Sequence, residues 1–182
     1  VLDRSVSERE AGSHIYFAGF YDTADDAENL VVRPRDMQDN AVPSGNAMAA
    51  TVLLKLARFS GESYYGMIAR RSLVAMEEMM AQHPLAFGQW LCAQEAALAT
   101  PVEVAVIGDP GAEETVRFID HVYRRYAPHR LVAAGMGEVP QLLAHRTQIE
   151  DRVTAYVCVD HVCPTPVTTL GGVSEQLAGS QQ

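Results

Sequence analysis

"VEVAVIGDPGAEETVRFIDHVYRRYAPHRLVAAG", residues 102–135, decides the class of fold. It opens on an apolar run, Val102 to Ile107, that stops at Gly108 and Asp109, the pattern of a short buried strand. After "PGAEE", Val116, Ile119, Val122, Tyr123 and Tyr126 recur at helical spacing. Glu113 and Glu114 stand in the first turn of that helix, and Arg124 and Arg125 in its last, so the charges suit the helix dipole at both ends. "RLVAAG" then reads as a second strand. Strand, helix and strand in this order predict a parallel, right-handed unit.

Further along, "EVPQLLAHR" predicts a short helix, "VTAYVCVD" a third strand, and "VTTLGGVSEQLAG" a last weak helix. Before Pro101 the character differs. Met48, Val52, Leu53, Leu56 and Phe59 keep helical spacing, with Ser44 as N-cap and Gly61 as the residue past the C-terminus. Ala47, Ala49 and Ala50 would let another backbone approach that helix closely. A second helix carries Tyr65, Ile68, Ala69, Leu73, Met76 and Met80 on one face and stops at His83-Pro84. Pro84 suits the first turn of a third helix reaching about Leu98. That third segment, "LAFGQWLCAQEAALA", has Glu95 as its one charge, so it is expected to be enclosed on more than one side. Three helices with short links read as antiparallel hairpins. The expected fold is therefore mixed and predominantly α: helical hairpins with a long N-terminal loop over 1–100, then a small βαβ-type α/β subdomain over 101–182.

A chain of 182 residues buries about 70% of its unfolded surface and needs no disulfide or metal staple. The net charge of −9 and a single lysine, Lys55, argue against a nucleic-acid groove or an anionic membrane surface as partner. No apolar run approaches the roughly 20 residues of a membrane-spanning helix. Val1 and the charged "LDRSVSERE" after it resemble neither a start nor a signal peptide, so the chain reads as a piece of a longer protein. Three cysteines make no disulfide framework, and a reducing cytoplasm is the expected location.

Several stretches carry potential chemistry. "VIGDPGAEE" lies where a doubly wound fold would hold a phosphate, yet it lacks the glycine pattern and the P-loop lysine, and its acids would repel an anion. It reads as an ordinary strand-to-helix turn. "CVDHVC" separates Cys158 from Cys163 by four residues, among them His161. It has no second ligand pair for zinc and is not C-x-x-C, which leaves two structural thiols or a redox pair as readings. "DTADDAE" misses the calcium-loop spacing. It is either a solvated acidic turn or, through Asp22, Asp25 or Glu28, the acid or base of a carbohydrate cleft. His14, beside the aromatic cluster of Tyr16, Phe17, Phe20 and Tyr21, could reach a pocket. No G-x-S-x-G frames Ser44, which excludes that type of serine nucleophile. No metal site and no cofactor is implied.

"GFYDTADDAENLVVRPRDMQDNAVPSGNAMAATVLLKLARFSGESYY", residues 19–65, together with "VEVAVIG" and "TAYVCVDHVCPTPV", resembles the thioredoxin-domain-containing family of bacterial YyaL-type and animal spermatogenesis-associated proteins. The resemblance runs in order from about Ala18 to Leu177. It implies a thioredoxin-like domain followed by an (α/α) toroid similar to six-hairpin glycosidases and N-acylglucosamine 2-epimerases. This chain would be the C-terminal portion, holding the last hairpins and an α/β appendage, with the rest of its own full-length chain as its main partner. By analogy with sugar-active toroids, Asp39, Asn40, Ser44 and Asn46 would point toward a ligand, with Arg33 and Arg35 nearby to bind carboxylate or hydroxyls.

Two functional classes follow. One is a portion of a carbohydrate-binding or carbohydrate-modifying toroid, glycoside hydrolase-like or epimerase-like, inactive by itself. The other is a non-catalytic scaffold that supports the thioredoxin-like domain. In both, the isolated piece would expose helix faces and would tend to form homo-oligomers.

Overall fold

A computed structural model describes residues 19–24, 26, 31–160 and 162–180. His14, Tyr16, Phe17, Asp25, Glu28 and His161 lie outside the described residues. The chain divides into two compact units: one comprises the chain up to Leu54 with Ser63–Ala97, the other Lys55–Glu62 with the chain from Leu98 on.

The core of the first unit comes from α1 (Gly45–Ser60) up to Leu54, α2 (Ser63–Gln82) and α3 (Gly88–Leu98) up to Ala97, with one 3₁₀ turn at Pro84–Ala86 ahead of α3. Ser44 caps α1 as expected, its Oγ accepting from the Ala47 N–H at 3.1 Å. Gly61, with φ +75°, follows the helix end in the left-handed conformation that glycine tolerates. Met76 and Met80 of α2 meet Ala47, Ala50, Leu53 and Leu54 of α1 and Phe87, Trp90 and Ala93 in one buried cluster.

The face that α1 buries differs from the expected one. Asn46, Ala47, Ala50, Leu53 and Leu54 are inside, while Met48, Val52 and Leu56 are exposed. Ala47 and Ala50 permit close backbone approach at the start of this face, and Leu53 and Leu54 fill the core further along it. The expected enclosure of α3 also fails: only Trp90 and Ala93 are buried, and Leu91 and Leu98 face outward. The α2 face is as expected, with Ser72 added.

The second unit is a three-stranded mixed sheet in the order β2-β1-β3. β1 (Val102–Ile107) pairs in parallel with β2 (Arg130–Gly135), joined through α4 (Glu113–Tyr123), as the strand-helix-strand reading required. β3 (Thr154–Val159) runs antiparallel to β1, with Val104 opposite Val157. The alternating side chains of β1 serve two cores. Val104 and Val106 pack with Phe118 and Val122 of α4 and with Val173 and Leu177 of α5 (Leu170–Gly179). Ala105 and Ile107 pack with Leu131, Ala133, Leu142 and Leu143 on the other face.

Three local expectations change. "EVPQLLAHR" forms only a 3₁₀ turn, Gln141–Leu143, and the backbone leaves helical geometry at Ala144, with ψ 140°, before His145 at φ 60°. α4 stops at Tyr123, three residues before Tyr126, where the Arg130 guanidinium donates to the Val122 and Arg125 carbonyls. Burial holds that guanidinium below the usual arginine value; the neighbouring Tyr123 raises it and Arg125 lowers it further. Finally, α4 buries Thr115, Phe118 and Val122 and leaves Val116 exposed. The fold is thus mixed α/β, and among the described residues no helix is long and apolar enough to cross a membrane.

Candidate functional site

The loop before α1 is built by side chains that bind backbone. Asp39 sits between two helix starts: its Oδ1 accepts from the Ser44 N–H at 2.8 Å and its Oδ2 from the Gln89 N–H at 2.7 Å. Its own N–H donates to the Ala86 carbonyl at 2.9 Å. Asn46 is 3% exposed. Its Oδ1 accepts from the Phe20 N–H at 2.6 Å, and its Nδ2 donates to the carbonyls of Phe20 at 3.0 Å and Asp36 at 3.1 Å. Two segments that the sequence leaves irregular are thereby fastened to α1. Trp90 adds a third fastening by donating its indole N–H to the Met37 carbonyl at 2.7 Å.

The remaining candidates lie on those segments. Asp22 Oδ2 accepts from the Asp36 N–H at 2.9 Å. Arg33 donates to the Thr23 carbonyl at 2.8 Å, and its guanidinium carbon lies 4.1 Å from the Tyr21 ring centroid. Arg35 lies 3.8 Å from the same centroid. Two guanidiniums thus lie within cation–π distance of one tyrosine ring. Asn40 is exposed, and its N–H donates to the Val42 carbonyl. The structure therefore brings Asp39, Ser44 and Asn46 together around the start of α1, and groups Asp22, Arg33 and Arg35 around Tyr21.

The second unit holds a different arrangement. Cys158 and Cys163 form a disulfide, so two independent structural thiols is not what the structure contains. Cys158 is 1% exposed, at the end of β3, whereas Cys163 is exposed. The turn between them is also held by backbone, with Val159 and Val162 exchanging N–H to carbonyl bonds at 3.0 and 2.9 Å. Arg146 Nη2 lies 3.6 Å from Cys158 Sγ and 3.8 Å from Cys163 Sγ. Its Nη1 donates to the Leu142 carbonyl, and its guanidinium faces the Tyr156 ring at 5.7 Å. Tyr156 in turn grips Thr147, accepting from its N–H and donating to its carbonyl at 2.8 Å. Sequence reasoning missed Arg146, because its place beside the sulfurs depends on a turn twelve residues before Cys158 that no local pattern marks. Among the described residues, no group of three metal-ligating side chains could hold an ion.

Spermatogenesis-associated protein 20 of Homo sapiens is 29% identical over 156 residues, covering 82% of this chain and 20% of the relative. The Mus musculus and Rattus norvegicus proteins of that name are each 28% identical with the same coverage. These similarities fit a C-terminal portion of the spermatogenesis-associated protein 20 family, to which the sequence motifs were likened. The chain spans about a fifth of the length of these relatives. No family model and no solved structure matches it.

Proposed function

We propose that the chain is a non-catalytic docking portion of a longer protein, its helical unit packing against further helices of an (α/α) toroid. The observation that carries this reading is the uncovered stripe on α1. Met48, Val52 and Leu56 recur every fourth residue and are 42%, 47% and 40% exposed, an arrangement suited to a neighbouring helix. The relatives' length leaves ample chain to supply that neighbour. The roles of Asp39 and Asn46 agree with a scaffold, since both spend their side chains on backbone. A cytoplasmic location belongs to the same proposal.

The test compares the 182-residue chain with one extended to the relatives' length. Glutamine at positions 48, 52 and 56 should reduce self-association of the short chain in light scattering and lower the melting temperature of the extended one. A short chain that is monomeric without the substitutions, and an extended chain indifferent to them, would overturn the reading.

A second reading is favoured by the exposure of Asn40 and Arg35 beside the clamped loop. In it, the loop lines a carbohydrate pocket of a hydrolase- or epimerase-like toroid, with Asp39, Ser44 and Asn46 holding its wall. Calorimetric titration of the extended chain with monosaccharides, disaccharides, uronates and acylated amino sugars decides it. Binding lost on Asn40→Ala and Arg35→Ala supports the pocket, and no binding to any of these sugars removes it.

A further inference from the structure

We infer that Cys158, Cys163 and Arg146 form a thiol–disulfide exchange site, with Cys163 as the sulfur attacked by a low-molecular-weight thiol. The inference stands apart from the docking and carbohydrate readings, because it concerns side chains neither of them uses. Exposure makes the two sulfurs unequal: Cys158 is buried and Cys163 faces solvent. Attack in line with the bond therefore reaches Cys163 and expels Cys158. The leaving sulfur departs as a thiolate, and Arg146 Nη2 stands 3.6 Å from it. A neutral disulfide gains little from a guanidinium, whereas a thiolate gains a charge-assisted partner and a lowered pKa. Arginine keeps that charge across the whole physiological range.

The bond is also dispensable to the turn it closes. Val159 and Val162 already pair through two backbone hydrogen bonds, and the cysteines are only five positions apart. A disulfide across so short a loop removes less chain entropy than one across a long loop. Arg146 is meanwhile held in place independently of the sulfurs, by the Leu142 carbonyl. Opening the bond thus leaves both the turn and its cation in position.

The exchange balances in two steps. A thiolate, RS⁻, forms a bond to Cys163 Sγ as the Cys158–Cys163 bond breaks, and the electron pair leaves on Cys158. A second RS⁻ then attacks the R sulfur of the mixed disulfide, releasing Cys163 as a thiolate and RSSR. Two thiols are oxidised, one protein disulfide is reduced, and the protons lost by the two RSH neutralise the protein thiolates or pass to solvent.

Reduced glutathione is the probe, used on the oxidised full chain carrying Cys92→Ser, which removes the exposed free cysteine. After brief exposure and acid quenching, peptide mass mapping should find the glutathione adduct on Cys163 and alkylation by a thiol reagent on Cys158. Arg146→Gln should slow opening of the disulfide several-fold, since a less stabilised thiolate leaves more slowly, and Arg146→Lys should restore most of the rate. Circular dichroism checks that the variants fold. If Arg146→Gln does not fold, the mapping on the unsubstituted pair still decides. An adduct on Cys158, or reduction only after denaturation, overturns the inference. So does a rate unchanged in a folded Arg146→Gln chain.

Discussion

Asp39 Oδ2 accepts the Gln89 backbone N–H at 2.7 Å, joining the loop before α1 to the first turn of α3 across fifty residues of sequence. One carboxylate so placed satisfies a donor that the helix itself cannot, while its other oxygen holds the N–H of Ser44. Asp39→Ala removes both acceptors and should destabilise the chain by about 2 kcal/mol, within the range for charged hydrogen bonds and lost caps. Urea unfolding followed by circular dichroism measures it. A change under 0.5 kcal/mol, roughly the scale of an ordinary surface substitution, would show that the carboxylate is not supporting the loop.

Asn46 makes a sharper case, because its amide is used in both senses. It accepts from one N–H and donates to two carbonyls while almost fully buried. Asn46→Asp keeps the shape and the acceptor but faces the carbonyls of Phe20 and Asp36 with a second oxygen. It should cost about 3 kcal/mol or more at neutral pH, where the buried carboxylate is charged, and less as acid protonates it and returns a donor. The sign is that of a buried acid whose folded-state pKa is raised: the penalty grows as pH rises. A pH-independent loss would contradict the carbonyl contacts.

How far the sequence foretold these results depends on which interactions are local. Apolar runs bounded by turn residues mark β1, β2 and β3, helical spacing marks α4, and residue type marks the N-cap at Ser44, because all of these act over a few residues. Which face of α1 is buried was not legible. Two stripes compete on it, one of Ala47, Ala50, Leu53 and Leu54 and one of Met48, Val52 and Leu56, and only the packing partner chooses. The partners of Asp39 and Asn46 were likewise hidden, lying up to 50 residues away in the chain. The residues around "DNAVPSGN" looked like ligand binders because the same side-chain oxygens and nitrogens that bind ligands also bind backbone. The Cys158–Cys163 pairing remained one of two open readings, and the cation beside it could not be anticipated.

Thr115 gives a prediction of the opposite sign. Its hydroxyl is 0% exposed and finds no partner among the described residues. Thr115→Val replaces that oxygen with a methyl of similar size and should stabilise the second unit by about 1 kcal/mol. Gly108→Ala should do the reverse, since an added Cβ would lie 2.5 Å from Thr115 Oγ1 and 3.2 Å from a Val153 methyl. Overpacking of this kind costs about 1–3 kcal/mol. Melting curves of both variants test the pair, and a destabilised Thr115→Val would mean the hydroxyl has a partner after all.

Trp90, the single tryptophan, is 0% exposed. Its emission should be blue-shifted in the native chain and resist iodide quenching. Trp90→Phe removes the hydrogen bond to the Met37 carbonyl and part of the ring volume, and should cost about 2–3 kcal/mol. Emission at the wavelength of water-exposed indole in the folded protein would place the ring outside the core.

β1 is flanked on one side by β2 and on the other by β3, so its backbone groups point into two ladders. Fraying of one edge strand therefore frees only those β1 amides that point into its ladder, and the others stay paired. In deuterated water the protons of Val104, Ala105 and Val106, buried and in the central strand, should be the last in this unit to exchange. The apolar run that marked the fold in the sequence would then also set the slowest motion of its unit.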